Sequence, residues 1–277
     1  GMALGITVAG VGIGTLIMAP LAQFLIFKFN WHTSYLIIAG LLFIIGLPTS
    51  RLMRLHPSEK GLLPYGMKEI ETEHKQYDGS LGNTVDFSLK QVINTKAFWL
   101  LCVMYMFLIL PLQMVMVHLK AHVTDVGITP MVAATTLGII GGGSILGRIT
   151  MGSVSDKVGR KIPFFIALFL MAMMMLWLLK AREVWQFYLF SALFGFGYGS
   201  NIPLFPAITA DWFGTKAHGT IFGAISLAGG IGGTIGPLLA GHIFDTMGSY
   251  DTAIIIGAVL LFIAAACSFL IKAPYQS

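Results

Sequence analysis

Residues 130–161 read PMVAATTLGIIGGGSILGRITMGSVSDKVGRK. From 130 to 154 the stretch carries one charge, Arg148. It is long enough to supply the roughly 20 residues that cross a bilayer as a helix. Directly after it come Asp156, Lys157, Arg160 and Lys161, a charged turn set between glycines. Thr129 before Pro130 predicts the helix start, a capping residue followed by a ring that fixes φ at the first helical position. An apolar span closed by a charged turn is the pattern that decides the fold, and it recurs along the chain.

Further apolar runs lie near 2–27, 31–50, 97–119, 162–180, 184–208, 218–243 and 251–272. Charged residues are 10% of the 277 and hydrophobic residues 56%, where soluble domains carry roughly 25% charged. So much apolar surface has no soluble solution. The expected class is an all-α membrane protein of eight transmembrane helices, with the lipid bilayer as its first partner. The net charge of +5 follows the same plan. If the first span runs outward from the cytoplasm, only Lys28, Lys120, Lys180 and Arg182 of the 17 basic residues fall outside. That asymmetry is the positive-inside rule, and it calls for no nucleic acid. Cys102 and Cys267 lie in apolar runs, where no structural disulfide is expected.

The one long polar stretch, 51–95, divides a two-helix block from a six-helix block. Its end, Ser88 to Trp99, reads as a short interfacial helix, and Gly248-Ser-Tyr250 as a turn before the last span. An internal repeat organises the rest. Gly1, Gly5, Gly12 and Gly14 match Gly219, Gly223, Gly230 and Gly232 at one offset, and Pro20-Leu21 matches Pro237-Leu238 after a one-residue shift. Glycine-rich membrane helices look alike, but two parallel repeats of six helices explain the register more fully. Residues 1–50 are then the last two helices of an N-terminal half, 51–95 the central cytoplasmic loop and 96–277 the C-terminal half. Four helices are expected upstream of Gly1, or a partner chain to complete the cavity.

The loop Gly152-Ser-Val-Ser-Asp156-Lys-Val-Gly159-Arg160-Lys161 resembles the signature Gly-x-x-x-Asp-x-x-Gly-Arg-Arg/Lys of the major facilitator superfamily. The resemblance implies secondary transport by alternating access, with these five named residues forming a cytoplasmic gate. Glycines let two helix ends approach closely, while Asp156 and Arg160 offer contacts that break and re-form.

Arg148 lies within a span, where an arginine costs roughly 2.5–3.5 kcal/mol near the centre. It can snorkel to the headgroups or stand as a fixed cation giving a carboxylate two parallel hydrogen bonds. Gly147-Arg148-Ile-Thr-Met-Gly152 followed by Ser155-Asp156 resembles the eighth helix of the monocarboxylate transporter and oxalate–formate antiporter group. There an Arg four residues before the Gly binds the substrate carboxylate. Val117-His118-Leu119, Asp125-Val-Gly127-Ile128 and the opening Gly1-Met-Ala-Leu-Gly5 resemble bacterial members, which implies a bacterial or archaeal cell membrane with the C-terminus cytoplasmic. Two positions depart from the group. Ser144 stands where animal carriers have Asp, and 218–243 lacks the Lys of the oxalate–formate antiporters. The resemblance therefore implies a small organic anion, a monocarboxylate, moved by proton symport or anion exchange.

His118, Ser144, Tyr198 and Asn201 complete the candidate substrate site. His118 also fits an interfacial histidine, and the other three fit interhelical hydrogen bonding. His118 and His122 have helical spacing but no Cys or carboxylate to make a metal site. Gly10-x-Gly12-x-Gly14 lacks the strand that a dinucleotide fingerprint needs. No cofactor is called for, and no catalytic set suggests an enzyme. A facilitator of sugars or drugs, or a non-transporting membrane sensor or assembly partner, stands as the alternative.

Overall fold

The computed structural model describes residues 2–52 and 87–270, with only the helical backbone for 2–7 and 52. Among these residues there is no strand. The helices are α1 (Met2–Lys28), α2 (Trp31–Leu52), α3 (Leu89–Val92), α4 (Lys96–Asp125), α5 (Pro130–Val158), α6 (Lys161–Leu178), α7 (Val184–Phe213), α8 (His218–Met247) and α9 (Asp251–Leu270). Each of the eight expected runs is a long helix, so the all-helical class holds. Seven of these helices are long and apolar enough to cross a membrane. The other, α7, is 30 residues long but carries Pro203, Pro206 and several glycines that dilute its apolar character.

Most of the central polar stretch, and Gly1, lie outside the described residues. The expected helix from Ser88 to Trp99 is instead broken. A single turn, Leu89–Val92, ends before Thr95, whose hydroxyl accepts from Phe98 N at 3.3 Å and starts α4 afresh. The cap outcompetes continuation because it satisfies one of the four free N–H groups of a helix start. Thr129 and Pro130 stand at the expected start of α5, although the Thr129 side chain makes no capping hydrogen bond, and Gly248 closes α8 in the left-handed conformation.

The chain divides into two compact units, residues 1–23 with 86–277 and residues 24–85. In the second unit Asn30 caps α2, its Oδ1 accepting from Thr33 N at 2.9 Å. The apolar side chains of α2, Leu36, Phe43 and Ile44 among them, are exposed as a lipid-facing helix requires.

In the first unit α5 packs along α7, α4 along α8, and α6 against α7 and α9, with α9 also on α4. Apolar burial gives no drive between helices in lipid, so close backbone approach has to supply the contact energy. Glycines provide it. A Cβ on Gly143 or Gly147 would lie 2.4 or 2.1 Å from a carbonyl oxygen of α7, and one on Gly232 or Gly236 would lie 2.6 or 2.2 Å from a carbonyl oxygen of α4. Gly138 and Gly141 face α1 in the same way. The matched glycines of the repeat differ in use. Gly12 abuts Gly141, while its counterpart Gly230 has nothing within 4 Å. Met171 and Met175, one turn apart, are fully buried, and Met173 faces outward.

Candidate functional site

Arg148 emerges from α5 between its two glycine faces, one against α1 and one against α7. The residue is 1% exposed. Nη1 donates to the Val8 carbonyl of α1 at 2.8 Å. The Tyr198 ring of α7 covers the guanidinium carbon at 5.4 Å. Nε is buried and has no hydrogen-bond partner among the described residues. A buried cation held, among the described residues, by a carbonyl and an aromatic face keeps much of its desolvation cost, several kcal/mol. A carboxylate offers what these contacts lack, an opposite charge and oxygens for Nε and the second amine. The headgroup alternative is not adopted, because α5 continues to Val158 and the side chain stays inside.

The other expected substrate residues are placed differently. Ser144, one turn before Arg148, is fully buried and returns its hydroxyl to the Gly141 carbonyl at 2.7 Å. It lies in the seam with Gly12 and Gly199. Asn201 donates to the Gly197 carbonyl at 2.9 Å and lies 3.7 Å from the Met171 sulfur, on the α6–α7 seam. Its Oδ1 is buried without a partner among the described residues. His118 lies seven residues from the end of α4 and Arg148 eighteen from the start of α5. At 1.5 Å per residue their depths differ by roughly 16 Å.

His118 instead belongs to the end where α4 turns into α5. Nε2 lies 3.0 Å from the Pro237 carbonyl and Nδ1 3.2 Å from the Tyr250 hydroxyl. A carbonyl only accepts, so Nε2 carries the proton and Nδ1 accepts from Tyr250. Burial, with Asp125 and Asp245 adding to it, pushes the Tyr250 phenol above its ordinary value, so the donor stays protonated.

At the opposite end, Asp156, Gly159, Arg160, Lys161 and Asp211 border a cavity of about 470 Å³. Gly159 ends α5 at φ 81° and Gly214 ends α7 at φ 83°, turns that a side chain would strain. Between them Arg160 pairs with Asp211 through Nε–Oδ2 and through Nη2–Oδ1 at 3.2 Å. Gly152 is buried in the last turns of α5, and Asp156 and Lys161 are exposed. Phe164 lines the cavity and meets Phe205 edge to face, which meets Tyr105 in the same way.

The profile of the Major Facilitator Superfamily matches residues 1–149 and 101–277. The chain belongs to the Major Facilitator Superfamily. It is a multi-pass integral membrane protein. It is 30% identical to monocarboxylate transporter 12 of Xenopus laevis, over 98% of this chain and 60% of that protein. Identity to monocarboxylate transporter 13 of Bos taurus is 24%, over 99% of this chain and 60% of that protein. A multidrug resistance protein, MdtG of Salmonella arizonae, is 31% identical over 45% of this chain and 31% of its own length. The chain spans about 60% of the length of the monocarboxylate transporters it matches.

Three contacts of this major facilitator chain escaped the sequence reading. Val8 is one apolar residue in an apolar run, and its carbonyl is invisible to any motif. Tyr105 sits among apolar neighbours with no spacing to single it out. Asp211 did leave a signal. It is a carboxylate in the last turn of a span that ends at a glycine on the same side as the signature loop.

Proposed function

We propose that the complete protein carries a small monocarboxylate across the membrane by alternating access, with Arg148 receiving the carboxylate. The buried guanidinium carries this reading. It has an unpartnered Nε, a carbonyl at Nη1 and no carboxylate pair among the described residues. Tyr198 orients the cation, and Ser144, Asn201 and His118 act around the pathway. The names of the vertebrate relatives agree with the cargo class. The drug-carrier likeness of the Salmonella protein favours a second reading, a facilitator of a different solute, in which Arg148 has no ligand. Protons or a counter-anion drive transport. The basic excess around 51–96 and 157–161 supports an orientation with those loops and the C-terminus on the cytoplasmic side.

The test is uptake of labelled lactate, pyruvate, acetate, formate and oxalate into proteoliposomes holding the complete protein. Saturable uptake of a monocarboxylate, competed by unlabelled acid and not by the matching neutral amide, is the expected result. Equal competition by the amide, or uptake of none, overturns the reading.

The Arg160–Asp211 pair is the cytoplasmic latch on this reading, together with Gly152, Asp156, Gly159 and Lys161. A pair this exposed contributes no more than about 1 kcal/mol, which suits a contact that must open every cycle. Asp211→Asn is expected to leave thermal stability nearly unchanged and to slow turnover at saturating substrate several-fold. Exchanging the two charges should restore much of the rate. Unchanged turnover in Asp211→Asn would remove the pair from the cycle.

A further inference from the structure

A polar cleft runs between α4 and α8, about 350 Å³ in volume and lined by no charged side chain. Tyr105 and Gln113 border it from α4, and Ser226 and Thr234 from α8. Gly229 and Gly233 leave room for it. A Cβ on Gly229 would lie 2.4 Å from the Tyr105 ring, and one on Gly233 would lie 3.5 Å from Gln113 Cγ. Tyr105 and Gln113 stand eight residues apart, so the cleft is about 12 Å long.

Two observations point to a ligand. Gln113 is exposed roughly 26 Å from one end of α4 and roughly 18 Å from the other, and it has no hydrogen-bond partner among the described residues. A primary amide at that depth is expensive against hydrocarbon and belongs beside a water-filled path or a polar solute. The cleft also borders the helix that covers the cation. Tyr105 meets Phe205 of α7 edge to face at 4.5 Å, and Tyr198 of the same helix covers Arg148.

We infer that this cleft is the specificity subsite for the far end of the substrate. It selects carboxylates bearing a neutral hydrogen-bonding group, such as a hydroxyl or amide, away from the carboxylate. The inference rests on the carrier reading, with Arg148 holding the near end. Neutral donors and acceptors reward a hydroxyl, give a methyl nothing, and offer a second carboxylate no counter-charge.

Labelled 4-hydroxybutyrate and pentanoate test it, since they differ by a hydroxyl in place of a methyl. In proteoliposomes with the complete protein, 4-hydroxybutyrate is expected to show a KM about three- to ten-fold lower than pentanoate. Glutarate should compete poorly with both. Gln113→Leu should erase the difference while keeping pentanoate uptake, which itself reports a folded carrier. Equal KM values in the parent protein overturn the subsite. So does a Gln113→Leu variant that loses both acids in the same proportion, the mark of a helix-packing surface. Uptake of pyruvate without either acid overturns the subsite alone, whereas uptake of no carboxylate overturns the carrier reading with it.

Discussion

Arg148→Gln is expected to abolish saturable monocarboxylate uptake while the protein stays folded. Glutamine stops two atoms short of the guanidinium nitrogens and gives up the Val8 hydrogen bond, but the α1–α5 contact survives in the backbone approach of Gly12 to Gly141 and of Leu16 to Gly138. What disappears is the charge and the fork of donors. Removing one partner of a buried, hydrogen-bonded charge pair costs about 2–5 kcal/mol, and 1.4 kcal/mol is a factor of ten. The expected loss in kcat/KM is therefore on the order of a hundred-fold or more. Stability should not fall, because the substitution removes a buried charge whose Nε lacks a partner. Thermal unfolding in detergent checks that half, and initial uptake rates check the other. Tyr198→Phe is the companion variant. It keeps the ring over the guanidinium and should cost little. Parent-like uptake by Arg148→Gln would leave the arginine a structural residue and favour the reading with a different solute.

Gly199→Leu is expected to prevent accumulation of folded protein. A Cβ there would lie 2.0 Å from the Ser144 carbonyl oxygen and 2.5 Å from its Cα. Both are backbone atoms, so no side chain can rotate away, and α5 must separate from α7 along its whole length. Overpacking ordinarily costs 1–3 kcal/mol, and more where nothing can yield. Arg148 and Tyr198 face each other across this same seam, so separation also dismantles the site. Gly199→Ala, with the same first atom, should already lower the unfolding temperature strongly. Gly223→Ala is the contrast, because nothing lies within 4 Å of its Cβ position. There alanine should be neutral or stabilising, by up to about 1 kcal/mol through lower chain entropy. Size-exclusion profiles after heating compare all three, and a Gly199→Leu profile like the parent's would refute the packing account.

Glycines divide the legible from the illegible in this chain. The spacings Gly143/Gly147 and Gly232/Gly236 fit small-xxx-small packing, and those faces do meet carbonyls of α7 and α4. Which helix each face would meet could not be read, because small-xxx-small spacing is the same whatever lies opposite. Gly12 and Gly230 make the same point, with matched positions and unlike surroundings. Polar residues behave similarly. Ser144 and Asn201 stand in plausible places for a cavity, but each returns a hydrogen bond to its own helix. Local back-bonding is always available to such side chains in a span, so position along a helix could not decide between cavity and seam.

Sequence by itself determined the membrane class, the extent of the spans and the superfamily loop. Each of these rests on local composition and spacing, in which hydrocarbon admits only apolar helices whose backbone is satisfied internally. It also singled out Arg148, because a charge inside a span needs a reason. Only the tertiary structure decided what surrounds that charge. The Val8 carbonyl, the Tyr198 ring and the Arg160–Asp211 pair are separated from their partners by 140, 50 and 51 residues. No periodicity relates residues so far apart. Helix packing alone brings them together, and in lipid that packing depends on which backbones can approach most closely.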